Sequence, residues 1–289
     1  MTAIARAKVN LTLHVTGRRA TDGYHLLDSL VVFPDIGDRL TARPADELTL
    51  SVLGPYAGPA GAGADNLVLQ AAHALQDALA ARRGLRQGAA LVLEKRLPVA
   101  SGVGGGSPAA ATALILLNDL WGAAFSSAEL ASIGLRLGAD IPVCLAAPAT
   151  TWMRGVGEQL AAGPSLPPFA LALVNPGAPV ATPAVFKALS GRFSAPLSPA
   201  PEAFADLTAL TEWLDRSSND LEAPARALAP EIDAALAALQ GASGRLMARL
   251  SGSGATCWGL FAHPAEARAA AEAISAAHPA WWTASGAVG

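Results

Sequence analysis

The amino-acid sequence predicts a mixed α+β fold, because strand-like and helix-like segments alternate along the chain. In the first half, an apolar strand at 89–93 leads through a glycine-rich loop into a helix that begins near Ser107. In the second half, a buried strand at 169–174 precedes a helix from Pro264 to about Ala277 and a final strand near 281–287. The second half is therefore expected to form an α+β sandwich of the ferredoxin-like kind.

The composition is that of a globular protein with a substantial core. The chain has 289 residues, of which 52% are hydrophobic and 15% charged, enough for one large or two modest domains. A net charge of −3 and a pI near 5.9 give no electrostatic basis for binding nucleic acid or an anionic membrane. Cys144 and Cys257 lie far apart in apolar surroundings, which predicts buried small side chains rather than metal ligands.

Targeting signals are not recognisable in the sequence. No apolar run approaches the roughly 18 residues that span a bilayer. Arg6 and Lys8 stand where a signal peptide would need its apolar region. We therefore expect a soluble cytoplasmic protein.

The first 65 residues read mainly as strands. Residues 1–17 alternate loosely and predict one strand, and further strands are expected at 30–33, around Leu40 and at 48–53. Asp22-Gly23 is a turn signal, with Tyr24-His25 at its exit. Composition alone slightly favours ordinary packing for that aromatic pair.

The first long helix is expected to begin at Asn66, with Asp65 as its cap and Gly84 as its end. Leu67 and Leu75 belong to its apolar stripe. Asn is common in a first helical turn, so Asn66 needs no function to explain it.

The loop after the strand at 89–93 has the composition of a phosphate-binding loop. Glycine lets the backbone approach a ligand closely and aim several N–H groups in one direction. The helix start adds unpaired N–H donors and the positive end of the helix dipole. A Walker loop would end in Gly-Lys-Ser or Gly-Lys-Thr, and a dinucleotide fingerprint would need glycine at 107; neither fits. A glycine-rich turn before a buried helix remains the alternative. The loop glycines are Gly102, Gly104, Gly105 and Gly106.

A second candidate site follows the next helix. Residues 126–129 form a capping box that opens this helix, and Gly138 is its expected C-terminal stop. Asp140 then stands between that stop and a proline, with apolar neighbours. An acid in this position is either a turn residue or a functional carboxylate, and the local sequence favours neither.

The second half is separated by a proline-rich linker at 163–168, which predicts a domain boundary near residue 160. Thr182 is expected to cap a short helix whose first residue is Pro183. Asn219-Asp220 opens a helical pair broken at Pro230. A second glycine-rich segment, 250–256 (LSGSGAT), leads into the strand CWGLFA.

Three segments, in order, resemble motifs of the GHMP small-molecule kinases. Residues 98–107 (PVASGVGGGS) resemble the second superfamily motif and 250–256 the third. Residues 7–11 (AKVNL), followed by GRR at 17–19 and DGYH at 22–25, closely resemble the opening of the diphosphocytidyl methylerythritol kinases. GADIPV around Asp140, GVGE at 155–158 and NDLE at 219–222 also match that family. The resemblance covers nearly the full chain.

The resemblance implies a fold and a reaction. It implies two α+β lobes, residues 1–160 and 161–289, with ATP and substrate in the cleft between them. The first lobe would contain an unusual left-handed βαβ unit and the second a ferredoxin-like sandwich. The cofactors implied are ATP and Mg²⁺, and the partner is a small molecule, a cytidine-diphosphate-linked methylerythritol. A monomer or weak homodimer is expected.

The resemblance also assigns roles residue by residue. Asp140 would accept the proton of the attacking hydroxyl, and Lys8 would hold that carboxylate ionised and orient the hydroxyl. Tyr24 and Phe186 would lie against the cytosine ring, with His25 on the base edge. Asn10 and Thr182 would bind the methylerythritol hydroxyls or nearby phosphate. The residues implied at the ATP site are Asn66, Lys95, Pro98, Ser101, Gly102, Val103, Gly104, Gly105, Gly106 and Ser107.

The chain departs from the family pattern just after the loop. Pro108 and Ala109 stand where the family has a small residue and then Asn or Asp. Proline is comfortable in a first helical turn, but Ala109 has no group for phosphate or magnesium. A metal contact would rest on Ser107 or on water, so no protein metal ligand is assigned. Ala100-Ser101 replace glycines found in many members.

Two other functions are compatible with parts of the sequence. Another GHMP kinase, acting on homoserine, mevalonate or a sugar, would share the glycine loop, but Tyr24-His25 and Phe186 count against it. A nucleotide-binding protein without transferase activity is the third hypothesis, and the presence of both Lys8 and Asp140 argues against it.

Overall fold

The computed structural model describes residues 1–99, 101–103 and 105–289. The strands are β1 (Thr2–Arg6), β2 (Val9–Arg18), β3 (His25–Val32), β4 (Gly37–Ala45), β5 (Leu48–Leu53), β6 (Gly88–Glu94), β7 (Thr151–Gly155), β8 (Gln159–Ala162), β9 (Phe169–Asn175), β10 (Arg245–Leu250), β11 (Cys257–Phe261) and β12 (Trp282–Val288). The helices are α1 (Ala57–Ala60), α2 (Leu67–Arg83), α3 (Ser107–Leu120), α4 (Ser127–Leu135), α5 (Ile141–Cys144), α6 (Thr182–Ala188), α7 (Leu207–Asp215), α8 (Glu222–Leu228), α9 (Glu231–Gln240) and α10 (Pro264–Ala277).

The described chain divides into two compact units that interleave along the sequence. The first contains residues 1–7, 37–99 and 105–147, and the second contains 8–36, 101–103 and 148–289. The hairpin of β2 and β3 belongs to the second unit because β3 pairs with β7 in one sheet. The boundary near residue 160 follows chain order instead, and it stays a prediction.

The first unit is built on a four-stranded sheet of order β1-β4-β6-β5. β5 and β6 pair in parallel, which the crossover connection through α2 permits, and the other neighbours are antiparallel. Helices α2 and α3 pack on each other and on this sheet. Their buried faces are aliphatic and small, with Leu75 and Leu79 from α2 and Leu114 and Leu117 from α3 fully excluded from solvent. The left-handed sense of the βαβ unit stays a prediction.

The second unit contains two four-stranded sheets, ordered β2-β3-β7-β8 and β10-β11-β9-β12. In the latter all neighbours are antiparallel, and the chain passes β9, helices, β10, β11, α10 and β12. This is the order and connection of a ferredoxin-like sandwich, so the predicted architecture of the second half is confirmed. β9 is buried at every position, as a strand covered on both faces should be.

Four local predictions were wrong in detail. Residues 1–17 form two strands rather than one, because the chain leaves the first sheet at Ala7-Lys8 and Lys8 N donates to Val103 O (3.1 Å). Asn66, not Asp65, caps α2: its Oδ1 accepts from Val68 N at 2.9 Å. The helix after the capping box ends at Leu135, before Gly138. Thr182 is the first residue of α6, and Ala181 precedes it as the cap.

Other expectations hold. The box at 126–129 caps α4, and Gly84 ends α2 in the left-handed conformation, φ 71°. Cys144 and Cys257 are buried free thiols, and burial raises the pKa of Cys257. Every helix among the described residues is too short or too polar to cross a membrane.

Candidate active site

In the first unit, the glycine loop meets the start of α3. Gly106 occupies the cap position of α3, so no side chain covers its first amides. Pro108 lies in the first turn, where its missing N–H is not needed. A Cβ on Gly106 would lie 3.0 Å from the side chain of Leu67, so a larger residue would press on α2. The helix start therefore offers backbone donors to an anion. Gly104, one of the predicted loop residues, lies outside the described residues.

A pocket opens beside this helix start. Its volume is about 160 Å³. Asn66 at its rim is committed to the backbone: besides capping α2, its Nδ2 donates to Gly61 O at 2.7 Å. This bond ties the loop before α2 to the helix start and so shapes the wall. The lining residues are Pro59, Ala60, Asp65, Asn66, Leu67, Val68, Leu93, Lys95, Val99, Gly105, Gly106 and Ala109.

Lys95 lines the pocket, and its ammonium group is hydrogen-bonded to Asp38 and to the backbone of Leu97. Lys95 Nζ donates to Asp38 Oδ2 and to Leu97 O, each at 2.7 Å, and both charged side chains are almost completely buried. Burial lowers the pKa of Lys95, and the carboxylate of Asp38 opposes that shift. Asp38 was not recognised from the sequence. Its signal was an acid directly after Gly37 at the start of β4.

Asp140 lies at the start of α5 in the first unit and is half-buried. The residues after it, Ile141 to Cys144, are buried and anchor the segment. Its side chain makes no capping hydrogen bond to α5, so helix capping does not explain the acid. The two interpretations left open by the sequence, a turn residue or a functional carboxylate, both stay predictions.

The second unit holds residues 101–103 of the glycine loop against the segment 251–256. Ser101 O accepts from Thr256 Oγ1 (2.5 Å) and Thr256 N (3.1 Å), and Asn175 Nδ2 donates to Thr256 Oγ1 at 2.9 Å. Gly102 has φ 78°, and a Cβ there would lie 2.5 Å from Gly254 O, so this contact needs glycine. The two glycine-rich segments therefore stabilise each other. Lys8, which is buried, is placed in this unit by its backbone bond to Val103.

Asn10 presents a buried polar atom to this same region. Its Nδ2 donates to Ser29 Oγ at 2.8 Å, and its backbone N donates to Ser251 Oγ at 3.2 Å. Its Oδ1 accepts no hydrogen bond from any described residue, although the residue is only 1% exposed. A buried orphan acceptor is costly and uncommon, and a ligand hydroxyl would satisfy it. Thr182 Oγ1 lies 2.8 Å from Ser253 Oγ, on the adjacent glycine segment.

An aromatic cluster forms at the edge of the β2–β3 hairpin. The rings of His25 and Phe186 stack with centroids 4.8 Å apart, and Phe193 meets His25 edge-on at 6.4 Å. Arg18 Nε donates to His25 Nε2 at 3.2 Å. Burial, and then the charge of Arg18, lower the pKa of His25 and favour the neutral ring. Tyr24 is 64% exposed, so the side chain is not already packed into this cluster, and its contact with a cytosine ring stays a prediction. Phe193 was missed because nothing local marks it.

Comparison with known proteins identifies the family. The GHMP kinases N terminal domain family matches residues 66–147, and the GHMP kinases C terminal family matches residues 201–280. A protein of Cereibacter sphaeroides named 4-diphosphocytidyl-2-C-methyl-D-erythritol kinase is 54% identical over 282 residues, 97% of this chain and 96% of its own length. The chain belongs to the 4-diphosphocytidyl-2-C-methyl-D-erythritol kinase family.

Further relatives agree on the family and on the fold. The kinase of the same name from Paramagnetospirillum magneticum is 52% identical over 97% of this chain. A crystal structure of a 4-(cytidine 5'-diphospho)-2C-methyl-D-erythritol kinase matches with a TM-score of 0.80 and 35% identity, covering all of both chains. A mevalonate kinase structure matches with a TM-score of 0.68 at 10% identity, which shows the shared GHMP fold alone. The predicted fold class is confirmed.

Proposed function

We propose that the chain transfers the γ-phosphoryl group of ATP to the 2-hydroxyl of 4-diphosphocytidyl-2-C-methyl-D-erythritol, in the non-mevalonate route to isoprenoid precursors. The observation that carries the proposal is the identity of 54% to a kinase of that name over 97% of the chain. In the reaction, the bond between the γ-phosphorus and the oxygen that bridges it to the β-phosphorus breaks, and that oxygen leaves with ADP. A new bond forms between that phosphorus and the 2-hydroxyl oxygen, and the hydroxyl proton passes to the Asp140 carboxylate.

The nucleotide is assigned to the first unit. The pocket between Asn66 and Gly106 would take the base, and the amides at the start of α3 would bind the phosphates. Pro98, Val103 and the loop glycines would bring their backbone close to the phosphates. Ser101 is assigned the same role, because the hydrogen bond from Thr256 Oγ1 fixes its carbonyl. Phosphoryl transfer depends mainly on such positioning and charge neutralisation.

Mg²⁺ is assigned to the phosphates of ATP. Among the described residues, no group of three His, Cys, Asp or Glu side chains is arranged to hold a metal. Magnesium bound with a nucleotide takes most of its ligands from phosphate and water, with one or two from protein, so this donor set is compatible with it. Ser107, the first residue of α3, has the side-chain hydroxyl that would contribute the protein ligand. The ion would neutralise charge on the transferred phosphoryl group.

The acceptor is assigned to the second unit. Asn10 Oδ1 would accept from a methylerythritol hydroxyl, which would supply its missing partner. Thr182 would contribute a second hydroxyl contact nearby. Phe186, His25 and Tyr24 would bind the cytosine. Because Nε2 of the neutral His25 ring accepts from Arg18, its Nδ1–H would be the donor to the base edge. Asp140 is assigned as the acceptor of the hydroxyl proton and Lys8 as the cation that orients the hydroxyl.

The test is an ADP-release assay with 4-diphosphocytidyl-2-C-methyl-D-erythritol, run beside mevalonate, homoserine and galactose. We expect turnover on the cytidyl substrate alone. Turnover on another alcohol would keep the kinase and overturn the acceptor assignments. ATP binding without turnover on any of the four would favour a non-catalytic nucleotide-binding protein. A cytoplasmic location and a monomer or weak homodimer stay predictions.

A further inference from the structure

Lys95 is one of the residues implied at the ATP site, but its buried partner Asp38 has no part in the reaction described above. Asp38 is the second residue of β4 and is completely excluded from solvent. Lys95 follows the last residue of β6 and is 3% exposed. Taking two charges out of water is expensive, and such pairs are often no more stable than an apolar replacement. A contribution to stability is therefore a weak explanation for this pair.

Asp38 makes three hydrogen bonds to one short segment. Its Oδ1 accepts from the backbone N of Arg96 (2.7 Å) and of Leu97 (2.8 Å), and its Oδ2 accepts from Lys95 Nζ. Lys95 Nζ also bonds to Leu97 O, which closes the group. The Asp38 carboxylate thus fixes the backbone at Arg96 and Leu97, just before the glycine loop, and also the position of the Lys95 ammonium.

The ammonium that Asp38 holds lies beside the phosphate loop. A Cβ built on Gly105 would be 3.4 Å from Lys95 Nζ and 3.0 Å from Pro98 O. The backbone of Lys95 is fixed as well: its N donates to Leu53 O at 2.7 Å, and a Cβ on Gly54 would be 2.6 Å from its carbonyl oxygen. The ammonium has three N–H donors, of which Asp38 and Leu97 take two. A fixed positive charge is thereby held next to the amides that face the nucleotide pocket.

We propose that Asp38 is a positioning residue of the nucleotide site, which acts by holding the Lys95 ammonium, charged and fixed, behind the loop at Gly105. The inference rests on the proposed use of ATP. It assigns to Asp38 no contact with substrate. The ammonium attracts a polyphosphate strongly because it is shielded from water and already in position when the ligand binds.

Asp38 is the buried carboxylate that balances the charge of Lys95. Asp65 on the pocket rim is exposed, and so are Arg39 and Arg96, which form ion pairs with the half-buried Glu94. Exposed charges are screened by solvent, whereas Asp38 is not. Without Asp38, burial would act on Lys95 unopposed and favour its neutral amine.

The experiment compares Asp38→Asn with the double variant Asp38→Asn/Lys95→Met. ATP dissociation constants are measured by calorimetry across about pH 6 to 9, a range in which an ordinary lysine stays charged. For Asp38→Asn we expect affinity about tenfold weaker at neutral pH, with binding weakening further as pH rises because Lys95 loses its proton. The wild type should show a weaker dependence of this kind, because Asp38 opposes the lowering of the Lys95 pKa by burial.

The double variant separates positioning from folding. Replacing both partners by neutral side chains removes the uncompensated charge, so its melting temperature should return towards that of the wild type. Its ATP affinity should stay about tenfold weaker than that of the wild type, without the pH dependence expected for Asp38→Asn. As a matched control, Asp28→Asn removes another buried carboxylate, bonded to Leu197 N and Arg154 in the second unit, and should leave ATP affinity unchanged.

Two results would overturn the inference. One is wild-type ATP affinity in the folded double variant, which would make the pair purely structural. The other is Asp38→Asn binding ATP as tightly as the wild type at every pH. A wild-type protein that neither binds ATP nor turns over would instead refute the proposed function, and the outcomes are therefore distinguishable.

Discussion

Replacing Asn10 by alanine should impair the reaction while barely changing stability. The backbone contacts of Asn10 survive the substitution, since Ser251 Oγ accepts from its N–H and Trp258 Nε1 donates to its carbonyl. Only the side-chain bond to Ser29 is lost, and Ser29 Oγ keeps its own bond to Thr12 O at 2.5 Å. No buried partner is left unsatisfied by the change.

The expected magnitudes follow from these contacts. Losing the bond to Ser29 costs about 1 kcal/mol, and losing the packing of a small buried group costs about 1 kcal/mol more. Removing the orphan Oδ1 returns about 1–3 kcal/mol, the cost of a buried unsatisfied acceptor. The net change in unfolding free energy is then within about 1 kcal/mol of zero. A lost hydroxyl contact in the complex should lower kcat/KM for the cytidyl substrate by about tenfold to a hundredfold.

The assay is steady-state ADP release with each substrate varied in turn, together with denaturant unfolding. The KM for ATP should be unchanged. Asn118→Ala is the matched control, because both ends of that side chain bond to the backbone of Phe125, at 2.9 and 3.1 Å. It should lose stability and keep kcat/KM for the acceptor. An Asn10→Ala enzyme with wild-type kcat/KM, or one that loses stability like Asn118→Ala, would refute the reasoning.

Three further variants or conditions test the remaining assignments. Asp140→Asn should lower kcat by about 10²-fold or more and leave ATP affinity nearly unchanged; a variant that keeps most of its turnover would remove Asp140 from the proton transfer. Because burial and Arg18 lower the pKa of His25, KM for the cytidyl substrate should be constant at neutral pH. It should rise only below the ordinary histidine value of about 6.5, and a midpoint above that value would contradict the neutral ring. Thr256→Val should lower the unfolding free energy by about 1–3 kcal/mol and raise KM for ATP, because Ser101 O loses one of its two donors from Thr256 and Asn175 Nδ2 loses its acceptor; an unchanged KM would separate that contact from the nucleotide site.

The sequence predicts well those elements that local patterns determine. The strand 48–53 and the helix from Pro264 to Ala277 appear with the bounds expected, because alternation, caps and prolines act within a few residues. The cap of α2 was misassigned by one residue, since adjacent Asp65 and Asn66 are both good caps.

Local sequence patterns could not predict contacts between residues that lie far apart in the chain. The bond from Asn10 N to Ser251 Oγ joins residues 241 apart, and Asp38 meets Lys95 across 57 residues. Neither pair has a local signature, because a buried ion pair or an orphan acceptor exists only once the fold brings its partners together. Family motifs supplied Asn10 and Lys95 as candidates, whereas Asp38, Ser29 and Thr256 emerged from the structure.

The most direct test of the central claim is the ³¹P NMR spectrum of the product formed from ATP and 4-diphosphocytidyl-2-C-methyl-D-erythritol. Carbon 2 of the acceptor carries the methyl group and no hydrogen, so a phosphate on its oxygen has no proton on the adjoining carbon. We expect ADP and one new phosphomonoester signal that remains a singlet without proton decoupling. A signal split by coupling to carbon-bound protons would place the phosphate on another hydroxyl and contradict the assignment. The absence of any new phosphomonoester would contradict the proposed reaction itself.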